Sequence, residues 1–144
     1  MNKKILKIKT DNILPEYKTK YSAGMDIYSA NENDIVINPG ETAKIETGLH
    51  TEIPEGFFAA IYPRSSTGVK RHLMLANSTG IIDSDYRGEI KLFFYNFGNE
   101  KQIIKSGERL AQMVIQPYEK LEVKKVDELC ESERGEGGIG STGK

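Results

Sequence analysis

At 144 residues, with 38% apolar and 28% charged content, the chain has the balance of one soluble globular domain, which buries roughly 68–70% of its unfolded surface. Its 20 basic and 21 acidic residues cancel, so it lacks the general basic field that binding along a nucleic-acid backbone requires, and any phosphate site has to be local. Cys130 is the single cysteine, which excludes an internal disulfide; set among Asp127, Glu128 and Glu131, it reads as an exposed thiol.

The N-terminal run Lys3-Lys4-Ile5-Leu6-Lys7-Ile8-Lys9 begins with charge, but its lysines interrupt any signal-peptide core. No apolar stretch approaches a membrane span, and a cytoplasmic location is expected. Short β-prone runs then follow one another: Ile5–Ile8, Ile35–Ile37, Ala43–Leu49, Phe57–Tyr62, His72–Ala76, Glu89–Tyr95, Leu110–Ile115 and Leu121–Val126. Turn signals such as Asn38-Pro39-Gly40, Pro54-Glu55-Gly56 and Ser106-Gly107 separate them. Many short strands with Gly/Pro turns predict an all-β sandwich or jelly roll. One helical turn is expected after Ser65-Ser66, whose hydroxyls suit an N-cap. Residues 1–126 read as a single β-domain. Residues 127–144, rich in Glu and Gly, read as a flexible C-terminal arm that buries little apolar surface.

Three familiar patterns fail on context. Gly135-Glu136-Gly137-Gly138-Ile139-Gly140 fits GxGxxG but follows no strand and opens no helix. Gly138 to Lys144 has the spacing GxxxxGK without the Ser/Thr and helix that a P-loop places next. Asp83-Ser84-Asp85 starts like a calcium loop, but Arg87 takes a ligand position and Phe94 stands where the bidentate Glu belongs.

Plainer chemistry survives. Pro63-Arg64-Ser65-Ser66-Thr67-Gly68 and the arm's glycines with Arg134, Ser141 and Thr142 both combine free amides, hydroxyls and guanidinium, a mixture that wraps polyphosphate. A third segment, Asn77 to Gly88, sets Asp83 and Asp85 at a turn beside an amide and Tyr86. His72, in an alternating run, reads as structural, and Arg109 and Gln112 read as the polar face of a strand. With so few His and Cys, an oxygen-liking cation such as Mg²⁺ suits the inventory better than a His/Cys-bound metal.

The order of these segments resembles the trimeric dUTPase family through five motifs: Ala23–Ala30 containing Asp26, Pro63–Gly68, Gly80–Ile90 preceded by Asn77, Gly107–Met113 containing Gln112, and Arg134–Gly143. The resemblance implies a jelly roll, a homotrimer with sites shared between subunits, and hydrolysis of dUTP to dUMP and pyrophosphate, which supplies dUMP and keeps uracil out of DNA. Asp83 would be the general base for water attack on the α-phosphorus. Arg64, Ser65, Ser66 and Gln112 would bind the phosphates, with Arg134, Ser141 and Thr142 closing over them from the arm. Mg²⁺ would be reached by Asp26 through water. The hairpin from Asn77 to Lys91, with Gly80, Ile81, Ile82 and Tyr86, would hold the deoxyuridine. Where the family usually carries a Phe that stacks on uracil, this chain has Ile139, which implies weaker substrate capture with the chemical step intact. Two other readings are weighed beside this one, a dCTP deaminase-like enzyme on the same fold and a nucleotide-gated regulatory protein partner.

Overall fold

Short runs of β-branched and aromatic residues between glycine turns build eleven strands and one helix over residues 3–143, the part of the chain that the computed structural model describes. The strands are β1 (Lys7–Lys9), β2 (Met25–Tyr28), β3 (Ile35–Ile37), β4 (Thr42–Glu46), β5 (His50–Glu52) and β6 (Phe57–Pro63). After the helix α1 (Ser65–Arg71) come β7 (Leu73–Leu75), β8 (Gly80–Ile82), β9 (Lys91–Asn96), β10 (Gln102–Ile104) and β11 (Arg109–Pro117). One sheet runs β2-β11-β6-β8 and a second runs β4-β9-β7, while β1 pairs with β5 and β3 with β10. All pairings are antiparallel. The fold is an all-β jelly roll, as expected.

Alternation decides what is inside. On β9, Leu92, Phe94 and Asn96 are buried while Lys91 and Phe93 face outward. Phe94, Ile27, Ile37, Ile45, Leu73, Leu92 and Ile104 form the centre of one apolar core. Each such side chain contributes about 1.5–3 kcal/mol by leaving water.

Several expectations are corrected. Leu121–Val126 forms no strand; Leu121 and Val123 are exposed, because the alternation there has no partner strand among the described residues. β4 ends at Glu46, before Gly48 turns the chain at a φ of +66°. His72 lies outside β7: it adopts a left-handed conformation at the C-cap of α1, its ring edge-on to Phe97 at 5.5 Å. The N-cap is Arg64, with no side-chain capping bond, so Ser65 and Ser66 are the first helical residues. Four short strands, β2, β5, β8 and β10, go beyond the expected set, each having too few residues for its periodicity to show. Finally, β8 and β9 do not form a hairpin, since they belong to different sheets.

Candidate active site

Two clefts gather the polar residues singled out from the sequence. The first opens where β2, β11 and the start of α1 meet, and encloses about 460 Å³. A register shift between Arg109 and Ala111 against β2 marks a bulge at Leu110. In a regular strand, Arg109 and Gln112 are three residues apart and face opposite sides. The extra residue re-aims the strand, and both side chains line this cleft. The bulge also anchors the helix: the Leu110 carbonyl accepts from the Arg64 amide at 3.1 Å and from the buried Thr67 hydroxyl at 2.9 Å.

Asp26 on β2 pairs with Gln112 on β11 and is gripped from two sides. Arg64 Nε lies 3.0 Å from Asp26 Oδ1, and Arg109 Nη1 lies 3.3 Å from Oδ2. Arg64 also donates to the Arg109 carbonyl at 3.4 Å, and the Gln112 amide donates to the Pro63 carbonyl at 3.4 Å. Lys18, Ser22 and Ser65 complete the wall. Two guanidiniums grip one carboxylate and Lys18 stands on the same wall, so the cleft carries a local positive excess within a nearly neutral protein.

The second cleft, about 290 Å³, lies between β8 and the start of β9 and is lined by Ile81, Ile82, Asp83, Tyr86, Glu89 and Lys91. β8 is the outer strand of its sheet, so alternate residues turn backbone N–H and C=O groups toward its open side. Tyr86 is pinned at both ends: its amide donates to the Asp83 carbonyl at 3.2 Å and its hydroxyl to the Glu89 carbonyl at 3.0 Å. Gly88 permits this, because a Cβ there would collide with the Tyr86 ring and hydroxyl.

Glu89 fastens the loop to the body of the protein. Its carboxylate accepts from the amides of Thr47 at 3.2 Å and Gly48 at 3.0 Å. Glu89→Ala leaves both amides without this acceptor, and the expected cost is about 1–3 kcal/mol, read as a lower urea midpoint with an unchanged slope. Glu89→Gln, which keeps the acceptor oxygen, is expected to recover most of it.

The remaining expected residues are dispersed. Ser66 lies on α1 outside the cleft wall, while Asn77 and Gly80 sit at the far end of β8, where Gly80 packs on Ile61. Arg134, Ile139, Ser141 and Thr142 are exposed on the arm, and Arg134 Nε donates to the Gly137 carbonyl at 2.6 Å. Strand β6 measures the gap between the clefts. Ile82 pairs with Ala59 near one end of β6, and Pro63 at the other end leads into Arg64. At about 3.3 Å per residue, the backbones of Asp83 and Arg64 lie about 20 Å apart along β6. Sequence reasoning missed Lys18 and Glu89 as wall residues and set Arg109 aside as strand polarity, since the bulge that re-aims Arg109 leaves no pattern in composition.

A jelly roll with a cationic cleft built around one carboxylate, and a separate pocket edged by open backbone groups, is equipped to bind a phosphorylated nucleoside. The family model described as dUTPase matches residues 10–143. The deoxyuridine 5'-triphosphate nucleotidohydrolase of Finegoldia magna is 46% identical over 135 residues, covering 94% of each chain. The Staphylococcus bacteriophage 80alpha dUTPase with dUpNHpp is 32% identical with a TM-score of 0.83, covering 96% of this chain and 98% of its own. A mutant dUTPase of the S. aureus phage phi11, whose structure reveals details of the coordination of a structural Mg(II) ion, is 28% identical with a TM-score of 0.79, covering 87% of this chain and 98% of its own. The chain belongs to the dUTPase family.

Proposed function

We propose that the protein is a dUTP diphosphatase that hydrolyses dUTP to dUMP and pyrophosphate, with Asp83 as general base and sites assembled between subunits of a homotrimer. The observation that carries the reading, beside family membership, is the pair of clefts: one suited to polyphosphate and one to a nucleoside, held apart by strand β6. A nucleotide bound at once by Asp83 and Arg64 needs them closer than the roughly 20 Å at which one protomer holds them, which a second copy supplies. The exposed arm residues Arg134, Ile139, Ser141 and Thr142 would then reach the pocket of another subunit and close over the substrate.

In the chemical step, the Asp83 carboxylate accepts a proton from water as the water oxygen bonds to the α-phosphorus. The bond from that phosphorus to the bridging oxygen breaks, and pyrophosphate leaves with its electron pair. Arg64, Ser65 and Gln112 hold the phosphates in line and donate to the oxygens on which charge develops. The backbone groups that β8 turns to its open side, at one of the neighbours Ile81 and Ile82, read one edge of uracil, and cytosine is rejected because it leaves them unpaired. Tyr86, fixed from both ends, packs beneath the sugar and leaves no room for a 2′-hydroxyl.

Among the described residues no three His, Cys, Asp or Glu side chains converge, and Asp26 is the one carboxylate on the wall of the phosphate cleft. This donor set fits Mg²⁺ held chiefly by substrate phosphates and waters, with Asp26 reaching it through water. When bound, the ion would neutralise charge on the phosphate oxygens. Among the described residues no helix is long and apolar enough to cross a membrane, and an exposed free Cys130 suits a reducing cytoplasm.

The test is pyrophosphate release from dUTP, dCTP, dTTP and UTP. Release from dUTP alone, with no ammonia from dCTP, supports the reading; ammonia from dCTP without pyrophosphate from dUTP overturns it. At the lid, Ile139→Phe is expected to lower the KM for dUTP about tenfold, since base stacking contributes about 1–3 kcal/mol. An unchanged or higher KM would rule out this role for position 139.

A further inference from the structure

Lys18, like Arg109, has no part in the chemistry above. Lys18 stands on the wall with Asp26, Arg64, Arg109 and Gln112, although it comes from the irregular segment before β2. Its position follows from local structure. Thr19 and Ser22 close a tight turn, with the Ser22 amide donating to the Thr19 carbonyl at 3.2 Å and the Thr19 amide to Ser22 Oγ at 3.0 Å. This turn folds the chain so that Lys18 and Ser22 both face the cleft.

One hydrogen bond holds the ammonium. Lys18 Nζ bonds Glu16 Oε1 at 2.6 Å and also neighbours the Tyr28 hydroxyl, and these partners, Glu16 foremost, raise its pKa, so it is fully charged near neutrality. Tyr28 and Asp26 are two residues apart on β2 and share a face. Lys18 is therefore placed beside Asp26, toward the end of the cleft where Arg109 pairs with Tyr28.

The three cations differ in how they are satisfied. Arg64 and Arg109 both lean on Asp26. Lys18 is tied instead to Glu16, whose side chain is 66% exposed, so the pair is screened by water and readily exchanged. A polyphosphate with several negative charges competes well against one solvated carboxylate.

We propose that Lys18 is a further phosphate-binding residue that takes the outer phosphates of the substrate and the departing pyrophosphate. This rests on reading the Asp26–Arg64 cleft as the triphosphate site. Along β2, Tyr28 lies two residues from Asp26, the cross-strand partner of Gln112, a distance of about 7 Å. With the α-phosphate at Gln112, the outer phosphates extend toward Arg109 and Lys18, where the cations lie. Lys18 thereby separates nucleoside triphosphate from monophosphate.

Titration calorimetry of the full-length protein with dUpNHpp and with dUMP tests the assignment. Lys18→Ala is expected to weaken dUpNHpp about tenfold, the loss of one charge-assisted contact, and to leave dUMP affinity unchanged. Lys18→Arg is expected to restore most of the dUpNHpp affinity, and pyrophosphate inhibition of turnover should weaken in Lys18→Ala alone. Unaltered dUpNHpp affinity in Lys18→Ala overturns the proposal. So does an equal loss for dUMP and dUpNHpp, which would make Lys18 a structural residue of the loop. Failure of the parent reading looks different: the unmodified protein would release no pyrophosphate from dUTP.

Discussion

Asp83→Asn is expected to lower kcat for dUTP by about two to four orders of magnitude, the usual worth of a positioned general base, while dUpNHpp affinity stays within a few-fold. Asparagine keeps the size of the side chain and one acceptor oxygen but takes no proton at neutral pH. The carboxamide of the variant can still hold and orient water, yet that water must attack without giving up its proton. The backbone that frames the pocket should be undisturbed, because the bond that closes the loop runs from the Tyr86 amide to the Asp83 carbonyl and involves no carboxylate. Single-turnover kinetics beside calorimetry separates the two terms. Loss of dUpNHpp binding together with turnover would make Asp83 a ligand of the nucleotide and would remove it from the chemical step.

The second large effect concerns assembly. Asp83→Asn and Arg64→Ala are each expected to be nearly inactive as pure proteins. Unfolded together in equal amounts and refolded as mixed trimers, they are expected to recover about one quarter of wild-type activity. Each site then draws its Asp83 and its Arg64 independently from two different subunits, each intact about half the time. If both residues served one nucleotide from the same chain, no intact site would form and the mixture would stay inactive. The geometry favours recovery: β6 separates the two positions by about 20 Å, and Arg64 is turned into the Asp26 cleft. Size-exclusion chromatography of the refolded mixture confirms that trimers formed before the activity is read.

Much of the fold is legible in the sequence because strand alternation and turn residues are local properties. The expected Ile35–Ile37 has the observed ends of β3, and the expected Phe57–Tyr62 differs from β6 by one residue. Expectation fails where local pattern and pairing part company. Leu121-Glu122-Val123-Lys124 alternates well and is still no strand, because a strand requires a neighbour and this segment finds none among the described residues. β8, by contrast, is Gly-Ile-Ile, too short to show a period, and is a strand because β6 pairs with it. The expected hairpin from Asn77 to Lys91 fails for the same reason: proximity in sequence suggests pairing, and the two strands join different sheets.

The candidate site divides along the same line. By itself the sequence determined the residue types and their order: Asp26, the Arg64-Ser65-Ser66 run, Asp83 with Tyr86, Gln112, and an arm of glycines with Arg134, Ser141 and Thr142. Those are enough for family membership, since motif order is written along the chain. Only the tertiary structure decided which of them share a cleft. The bulge at Leu110 turned Arg109 toward Asp26, the turn at Thr19–Ser22 delivered Lys18 to the same wall, and Glu89 tied the loop after β8 to Thr47 and Gly48. These contacts join residues far apart in sequence and depend on backbone irregularities that no residue pattern encodes. The length of β6 then placed Asp83 and Arg64 out of each other's reach, a separation fixed by pairing register and strand rise.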